Sequence, residues 1–239
     1  MVIGVNGSAY DELLNIPFSG VLRKSHEFDR STRIARELGL PVHGDLPKNW
    51  DSLAAVAAIK RMCPDESCRI LDAGGEVYSS ILPQLEAIGY TNLTGINLTF
   101  KDKIIKRNRI RYEYGDITKT KYPNGHFGAV TCLSVIEHGV DISAYFREMS
   151  RILSAAGILF TSTDYWDEGI EVVNKFAYNS PVQVFSADDI TKIVEVADCH
   201  GFELIDPLDL FCEDKVVDLK SLGLQYTFMY FTLRKKTVS

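Results

Sequence analysis

From Arg69 onward the chain alternates short β-type runs with helical segments, a pattern that admits little besides a mostly parallel sheet with helices on both faces. The runs are Arg69 to Asp72, Leu93 to Leu98, Ile110 to Tyr114, Ala129 to Leu133 and Gly157 to Thr161. Periodicity predicts helices over Ser79 to Ile88, Lys101 to Asn108 and Ile142 to Leu153. The last has Ile142, Tyr145, Phe146, Met149, Ile152 and Leu153 on one face and Arg147, Glu148 and Arg151 toward water. A further helix spans Ala187 to His200, with Ser186 as its cap and Gly201 as its stop. Two final strands, Phe202 to Leu210 and Gln225 to Leu233, pair as an antiparallel hairpin, so one of them opposes the rest of the sheet.

Before this alternation lies a different stretch. Residues 1–65 read as an N-terminal helical extension or lid, and 66–239 as the α/β domain. Within the extension, Asp29 to Leu40 predicts a helix capped by Asp29 or Ser31 and stopped by Pro41. Asp51 is the expected cap of the next, which carries Leu53, Ala54, Val56, Ala57, Ile59 and Met62 up to Pro64.

The chain has 239 residues, a net charge of −6 and 46% hydrophobic residues, which is ordinary globular composition. An acidic chain lacks the basic face that nucleic acid or an anionic membrane needs, and no apolar run approaches the roughly 20 residues of a membrane helix. The start, Met-Val-Ile-Gly-Val-Asn-Gly, has no secretory pattern, so a cytoplasmic location is expected. The five cysteines (Cys63, Cys68, Cys132, Cys199, Cys212) are irregularly spaced and favour neither a disulfide framework nor zinc. His26, His43, His126 and His200 share no spacing that suggests a metal. A small molecule is the default partner. The basic run Lys101, Lys103, Lys106, Arg107, Arg109 and Arg111 reads as a solvated face or as a seat for an anion.

In such a sheet, ligands bind beyond the carboxyl ends of the strands. The first strand ends in Ile70-Leu71-Asp72-Ala73-Gly74-Gly75-Glu76, where a carboxylate and two glycines let backbone approach a ligand. Next come Leu93-Thr94-Gly95-Ile96-Asn97-Leu98, Tyr114-Gly115-Asp116-Ile117, and Phe127-Gly128-Ala129-Val130 with Cys132-Leu133-Ser134-Val135-Ile136-Glu137-His138. In this order and spacing, and with Tyr145 to Gly157, the sequence resembles the class I S-adenosylmethionine-dependent methyltransferases, in particular the type 11-like branch with a Glu-His pair after the fourth strand. Pro41-Val42-His43, Lys48-Asn49-Trp50-Asp51 and Thr163-Asp164-Tyr165-Trp166 are similar to a bacterial subgroup of that branch.

The resemblance implies a Rossmann-like, mostly parallel seven-stranded sheet with helices on both faces and a C-terminal antiparallel hairpin. It also implies S-adenosylmethionine as cofactor, methyl transfer to a small molecule such as a sugar, and cofactor contacts at Asp72, Gly74, Gly75, Asn97, Asp116, Ile117, Leu133 and Ser134. His138 and Glu137 are the catalytic candidates, either as a general base for a hydroxyl acceptor or as an anchor for the following segment. Asp164, Tyr165 and Trp166 are candidate acceptor-binding residues, or fill the joint with the N-terminal helices. Three departures from the family pattern stand out. Glu76 and Tyr78 replace glycines, Asn97 replaces the carboxylate that usually holds the ribose, and Ser154-Ala155-Ala156-Gly157 replaces a Lys-Pro-Gly-Gly turn. The first two motivate an alternative, a methyltransferase-like domain with weakened or lost cofactor binding that serves as a non-catalytic binding or regulatory protein.

Overall fold

A computed structural model describes residues 7–177 and 180–237. The chain begins with α1 (Gly7–Leu14), β1 (Ser19–Val21), α2 (Ser25–Glu37) and α3 (Lys48–Met62). The alternating part follows as β2 (Arg69–Ala73), α4 (Ile81–Ala87), β3 (Asn92–Asn97), β4 (Ile105–Arg107), β5 (Ile110–Tyr114), β6 (Phe127–Leu133), α5 (Ile142–Ile152) and β7 (Leu153–Tyr165). A small hairpin, β8 (Phe176–Ala177) with β9 (Ser180–Pro181), precedes α6 (Ala187–Cys199), β10 (Phe202–Leu204), β11 (Val217–Leu219) and β12 (Leu224–Lys235).

The main sheet runs in the order β1-β12-β7-β6-β2-β3-β5-β4, and β10 and β11 also pair with β12. Strands β5, β3, β2, β6 and β7 are mutually parallel, and β12 opposes β7. With β10 they make the seven strands expected from sequence, the closing pair being antiparallel. After β1 at the edge, the chain re-enters the sheet at β2, builds outward through β3 and β5, then returns to place β6 on the other side of β2. That reversal opens a crevice at the carboxyl ends of β2 and β6, where ligands bind in sheets of this kind.

The expected helix over Lys101 to Asn108 does not form. A 3₁₀ turn at Leu98–Phe100 leads instead to β4, which folds back antiparallel on β5, with Lys101 and Asn108 both at positive φ. The segment offers only Ile104 and Ile105 as apolar residues, too few for the stripe a crossover helix must bury. The caps in the N-terminal region also differ. Helix α2 starts at Ser25, so Asp29 and Ser31 lie inside it, and Ser31 Oγ donates back to Glu27 O at 3.1 Å. Helix α3 starts at Lys48, so Asp51 is not its cap but a buried residue of its first turn. The other capping expectation holds: Ser186 and Asp189 form a reciprocal box at the start of α6.

Helix α3 is buried on nearly every side, and its small residues Ala54, Ala55, Ala57 and Ala58 let it sit close to the sheet and to α1 and α2. Trp50 packs on Tyr230 of β12, with ring centroids 4.7 Å apart. The packing is equally close on β3, where a Cβ on Gly95 would come within 2.6 Å of the buried Tyr112 ring. Gly95→Ala is therefore expected to overpack the core and to cost about 1–3 kcal/mol, read as a lower urea midpoint with an unchanged m-value.

Candidate active site

The turn after β2 is held by contacts that leave no room for side chains. Gly74 adopts φ +93°, its N–H donates to Ile96 O at 2.8 Å, and a Cβ there would lie 2.4 Å from Val135 of the loop after β6. A Cβ on Gly75 would lie 1.9 Å from the Asp72 carboxylate. Asp72 itself is buried, and its Oδ1 accepts from Thr131 Oγ1 at 2.9 Å. Burial pushes its carboxyl up to about 7, the Thr131 hydrogen bond opposing only in part.

At the end of β3, Asn97 works within the protein. Its Nδ2 donates to Gly74 O at 2.7 Å and its Oδ1 accepts from Thr99 N at 3.0 Å. The Thr99 hydroxyl donates to Glu76 Oε1, so the amide and a carboxylate stand side by side on this rim. After β5, Gly115 packs on Ile96, and Asp116 Oδ1 accepts from Thr118 N and Oγ1 at 2.8 and 2.7 Å. Glu148 of α5 grips the same loop: its Oε1 accepts from Thr120 N and Oγ1, both at 2.7 Å, while Arg151 donates to both Glu148 oxygens and to Tyr122 O. Leu98, Tyr114 and Tyr78 follow or precede the three motif residues and are exposed apolar side chains on this edge. Sequence reading missed them because an exposed apolar residue is common and carries no spacing signal.

The loop after β6 carries Ser134, Glu137 and His138. Ser134 has φ +52° and its N–H donates to Ser162 O at 3.0 Å. Glu137 is 1% exposed, and its Oε2 accepts from Thr163 Oγ1 at 3.0 Å. Burial, then the neighbouring Asp164, hold its carboxyl well above the usual range. Asp164 is likewise raised by burial, with Lys48 opposing. His138 is half-buried and its pKa is lowered, first by burial and then by Lys48. Lys48 itself comes from the first turn of α3. Its ammonium donates to Ser134 Oγ and lies 3.7 Å from the centre of the Phe228 ring. Asp51, one turn on, accepts from Ser162 Oγ at 2.6 Å through Oδ2, while its buried Oδ1 has no hydrogen-bond partner.

Asp72, Gly74, Gly75, Asn97, Asp116, Ile117, Leu133 and Ser134 thus stand at or just beyond the carboxyl ends of β2, β3, β5 and β6. Glu137, His138, Asp164 and Trp166 lie at the ends of β6 and β7. Tyr165 does not join them: it is wholly buried in the opposite layer, its hydroxyl donating to Leu210 O at 2.7 Å, because successive strand residues face opposite sides. A cavity of about 550 Å³ opens beside Glu137, lined among others by Gly139, Glu168, Glu171, Gln183 and Asp189. Among the described residues, no three His, Cys, Asp or Glu side chains are placed to hold a metal ion, and no helix is long and apolar enough to cross a membrane.

Residues 71–161 match a family model described as a methyltransferase domain, and that span contains the ends of β2, β3, β5 and β6. Over that span the chain is similar to a methyltransferase domain, and its fold is that of the Rossmann-like S-adenosylmethionine-dependent methyltransferases. It is similar to the sterol 24-C-methyltransferase erg6 of Aspergillus fumigatus, with 23% identity over 193 residues, 72% of this chain and 48% of that one. The chain therefore spans about half the length of this curated relative. Among solved structures, an S-adenosylmethionine-dependent methyltransferase from Mesorhizobium loti shares the fold with a TM-score of 0.54 and 16% identity, over 79% of this chain and 98% of that one. The [4+2]-cyclase SpnF shares it with a TM-score of 0.60 and 16% identity, over 80% and 83%. The 1,6-didemethyltoxoflavin-N1-methyltransferase of Burkholderia thailandensis matches over 99% of this chain and 92% of its own, with a TM-score of 0.52 and 14% identity.

Asp51, Asp72, Glu137 and Asp164 all have raised carboxyl pKa values in this methyltransferase fold. A group raised on folding stabilises fully below its unfolded pKa, and that contribution is lost as pH rises through the folded value. For Asp72 the window runs from about 4 to about 7. Asp72→Asn, which carries no charge to desolvate, is expected to flatten the fall in thermal midpoint between pH 5 and 8. A slope identical to wild type would show that Asp72 does not titrate there.

Proposed function

We propose that this chain transfers a methyl group from S-adenosylmethionine to a small molecule that carries a hydroxyl, such as a sugar. The observation that carries this reading is the convergence of the Gly74–Gly75 turn, Asn97, Asp116 and Ser134 on one edge of the sheet, at the reversal of strand order. The residues present fit the cofactor. Only backbone can line the turn at Gly74 and Gly75, since a Cβ at either would collide with Val135 or Asp72. That turn would take the methionine part. Leu98 and Tyr114 offer apolar surface for the adenine ring, with Asp116 and Ile117 at its polar edge, and Leu133 and Ser134 would adjoin the sulfur.

S-adenosylmethionine supplies an electrophilic methyl group on a sulfonium. The chain has to hold the acceptor in line with it and keep water away, and orientation of that kind is worth roughly 7–11 kcal/mol. His138, neutral at pH 7 because its pKa is lowered, would take the proton from the acceptor hydroxyl. Glu137 borders the cavity but is almost wholly buried and bonded to Thr163, and we assign it to positioning the loop that carries His138. Asp164 and Trp166 flank the acceptor side. The described part of the N-terminal segment, residues 7–65, acts as a cover, with Lys48 fastened to Ser134 across the crevice. The cavity beside Glu137 has a volume usual for a small-molecule site and includes carboxylates but no Lys or Arg in its lining. It suits a neutral or cationic acceptor, whose hydroxyls can donate to Glu168 and Glu171.

One observation favours the second reading, in which the cofactor binds weakly and the domain serves as a binding or regulatory partner: the Asn97 amide is already engaged by Gly74 and Thr99. Calorimetry separates the two. Heat on titration with S-adenosylmethionine at micromolar to millimolar concentration is expected, and none at millimolar ligand would favour the non-catalytic reading. Within the enzyme reading, His138→Ala should lower turnover by about 10²–10⁴-fold with cofactor affinity unchanged. Wild-type turnover should stay level until pH drops below the ordinary histidine value of about 6.5, then fall as the imidazole protonates. Turnover, affinity and thermal midpoint falling together in the variant would instead mark His138 as structural.

A further inference from the structure

We propose that Glu76, not Asn97, supplies the carboxylate that receives the ribose hydroxyls of the cofactor; this rests on the cofactor reading given above. A vicinal diol donates two hydrogen bonds, and a carboxylate accepts them as short, charge-assisted bonds about twice as strong as neutral ones. Asn97 stands at the end of β3 but is tied down: a side-chain N–H goes to Gly74 O at 2.7 Å, and its oxygen accepts from Thr99 N at 3.0 Å. Its amide holds the glycine turn in shape and brings no charge.

The charge arrives from the neighbouring loop. Glu76 follows the glycine pair, at a position where a glycine would leave the same rim empty. Its backbone is fixed in both directions, because Glu76 N–H donates to Ser79 Oγ at 3.1 Å and Ser79 N–H donates to Glu76 O at 3.0 Å. Its side chain is half-buried and held to Thr99 through Oε1, and no described donor reaches Oε2. Thr99 bonds Asn97 through its backbone and Glu76 through its hydroxyl, so the carboxylate stands next to the amide. The exposed Leu98 adjoins this position along the chain. The bulk of Glu76 in a turn built on glycines and the missing acid on β3 then have one explanation. The carboxylate has moved from the second strand to the first loop, and the amide has taken over the turn.

The test is calorimetry with S-adenosylhomocysteine and with its 2′,3′-dideoxyribose analogue, on wild type, Glu76→Gln and Asn97→Asp. Glu76→Gln keeps the shape and removes the charge. It should weaken S-adenosylhomocysteine by about tenfold and leave the dideoxy analogue unchanged. Asn97→Asp removes the donor to Gly74 O and sets a carboxylate against a carbonyl, so both ligands should weaken together. Equal losses on both ligands in Glu76→Gln would show that Glu76 acts only through the loop and would overturn the assignment. So would unchanged affinity, or an Asn97→Asp variant that binds S-adenosylhomocysteine more tightly. A wild-type protein that binds neither ligand at millimolar concentration would overturn the cofactor reading itself, and this assignment with it.

Discussion

Four carboxyl groups lie buried beneath the carboxyl ends of the strands, and one ammonium, that of Lys48, bears on three of them: Asp51, Glu137 and Asp164. Removing a carboxylate from water is costly unless a charge or hydrogen bonds compensate, and where compensation is partial the group keeps its proton. This chain shows that partial case. Lys48 opposes the raised values without cancelling them, and Thr131, Thr163 and Ser162 each donate one hydrogen bond. Because Lys48 and Asp51 sit in the first turn of α3, the N-terminal segment is joined to the sheet by charge as well as by the alanine-rich face of that helix. Most of what surrounds the crevice, from Ser134 to Phe228, takes its place relative to that helix.

The opposite rim is organised without buried charge of one sign. Glu148 and Arg151 form a pair on α5 and hold Thr120 and Tyr122 between them, so the loop that carries Asp116 is moored to a helix rather than left to its own turn. Bidentate geometry of this kind fixes direction as well as distance. Two carboxylates near this rim, Glu113 and Glu148, are held below the usual range by hydrogen bonds and cationic partners that outweigh burial. One side of the crevice therefore raises the pKa values of its carboxyl groups and the other lowers them.

The central strands were legible as short β-type runs, and Ile110 to Tyr114, which alternates Ile110, Tyr112 and Tyr114 with Arg111 and Glu113, matches β5 without a residue's error. The polar end of β7 was not: the expected strand stops at Thr161, and Ser162, Thr163 and Asp164 look like a loop, yet they are buried, with Asp51 and Glu137 answering the Ser162 and Thr163 hydroxyls. Three-residue strands such as β1, β4 and β11 are too short to show a period. The motif residues at the ends of β2, β3, β5 and β6 could be named from sequence because each ends a strand. Lys48 could not, since nothing local distinguishes it from a solvated lysine at a helix start. The burial of Tyr165 on the layer opposite Asp164 follows from alternation along the strand, a signal the sequence already carried.

Strand β12 gives its outer edge to three separate pieces of chain: β11 near its start, β1 at its middle and β10 at its end. Tyr230 also donates to Pro17 O, a hydrogen bond between residues 213 positions apart. On a ribosome the first strand of such a chain has nothing to pair with until nearly the last residues have emerged. Long-range pairings of this kind slow folding, because a large loop must close before any contact rewards it. The helices at the N-terminus would spend synthesis with their apolar faces uncovered. A circular permutant that joins residue 239 to residue 1 and opens the chain at an exposed loop would place β1 after β12 with α1 between them, turning this long-range pairing into a much shorter-range one.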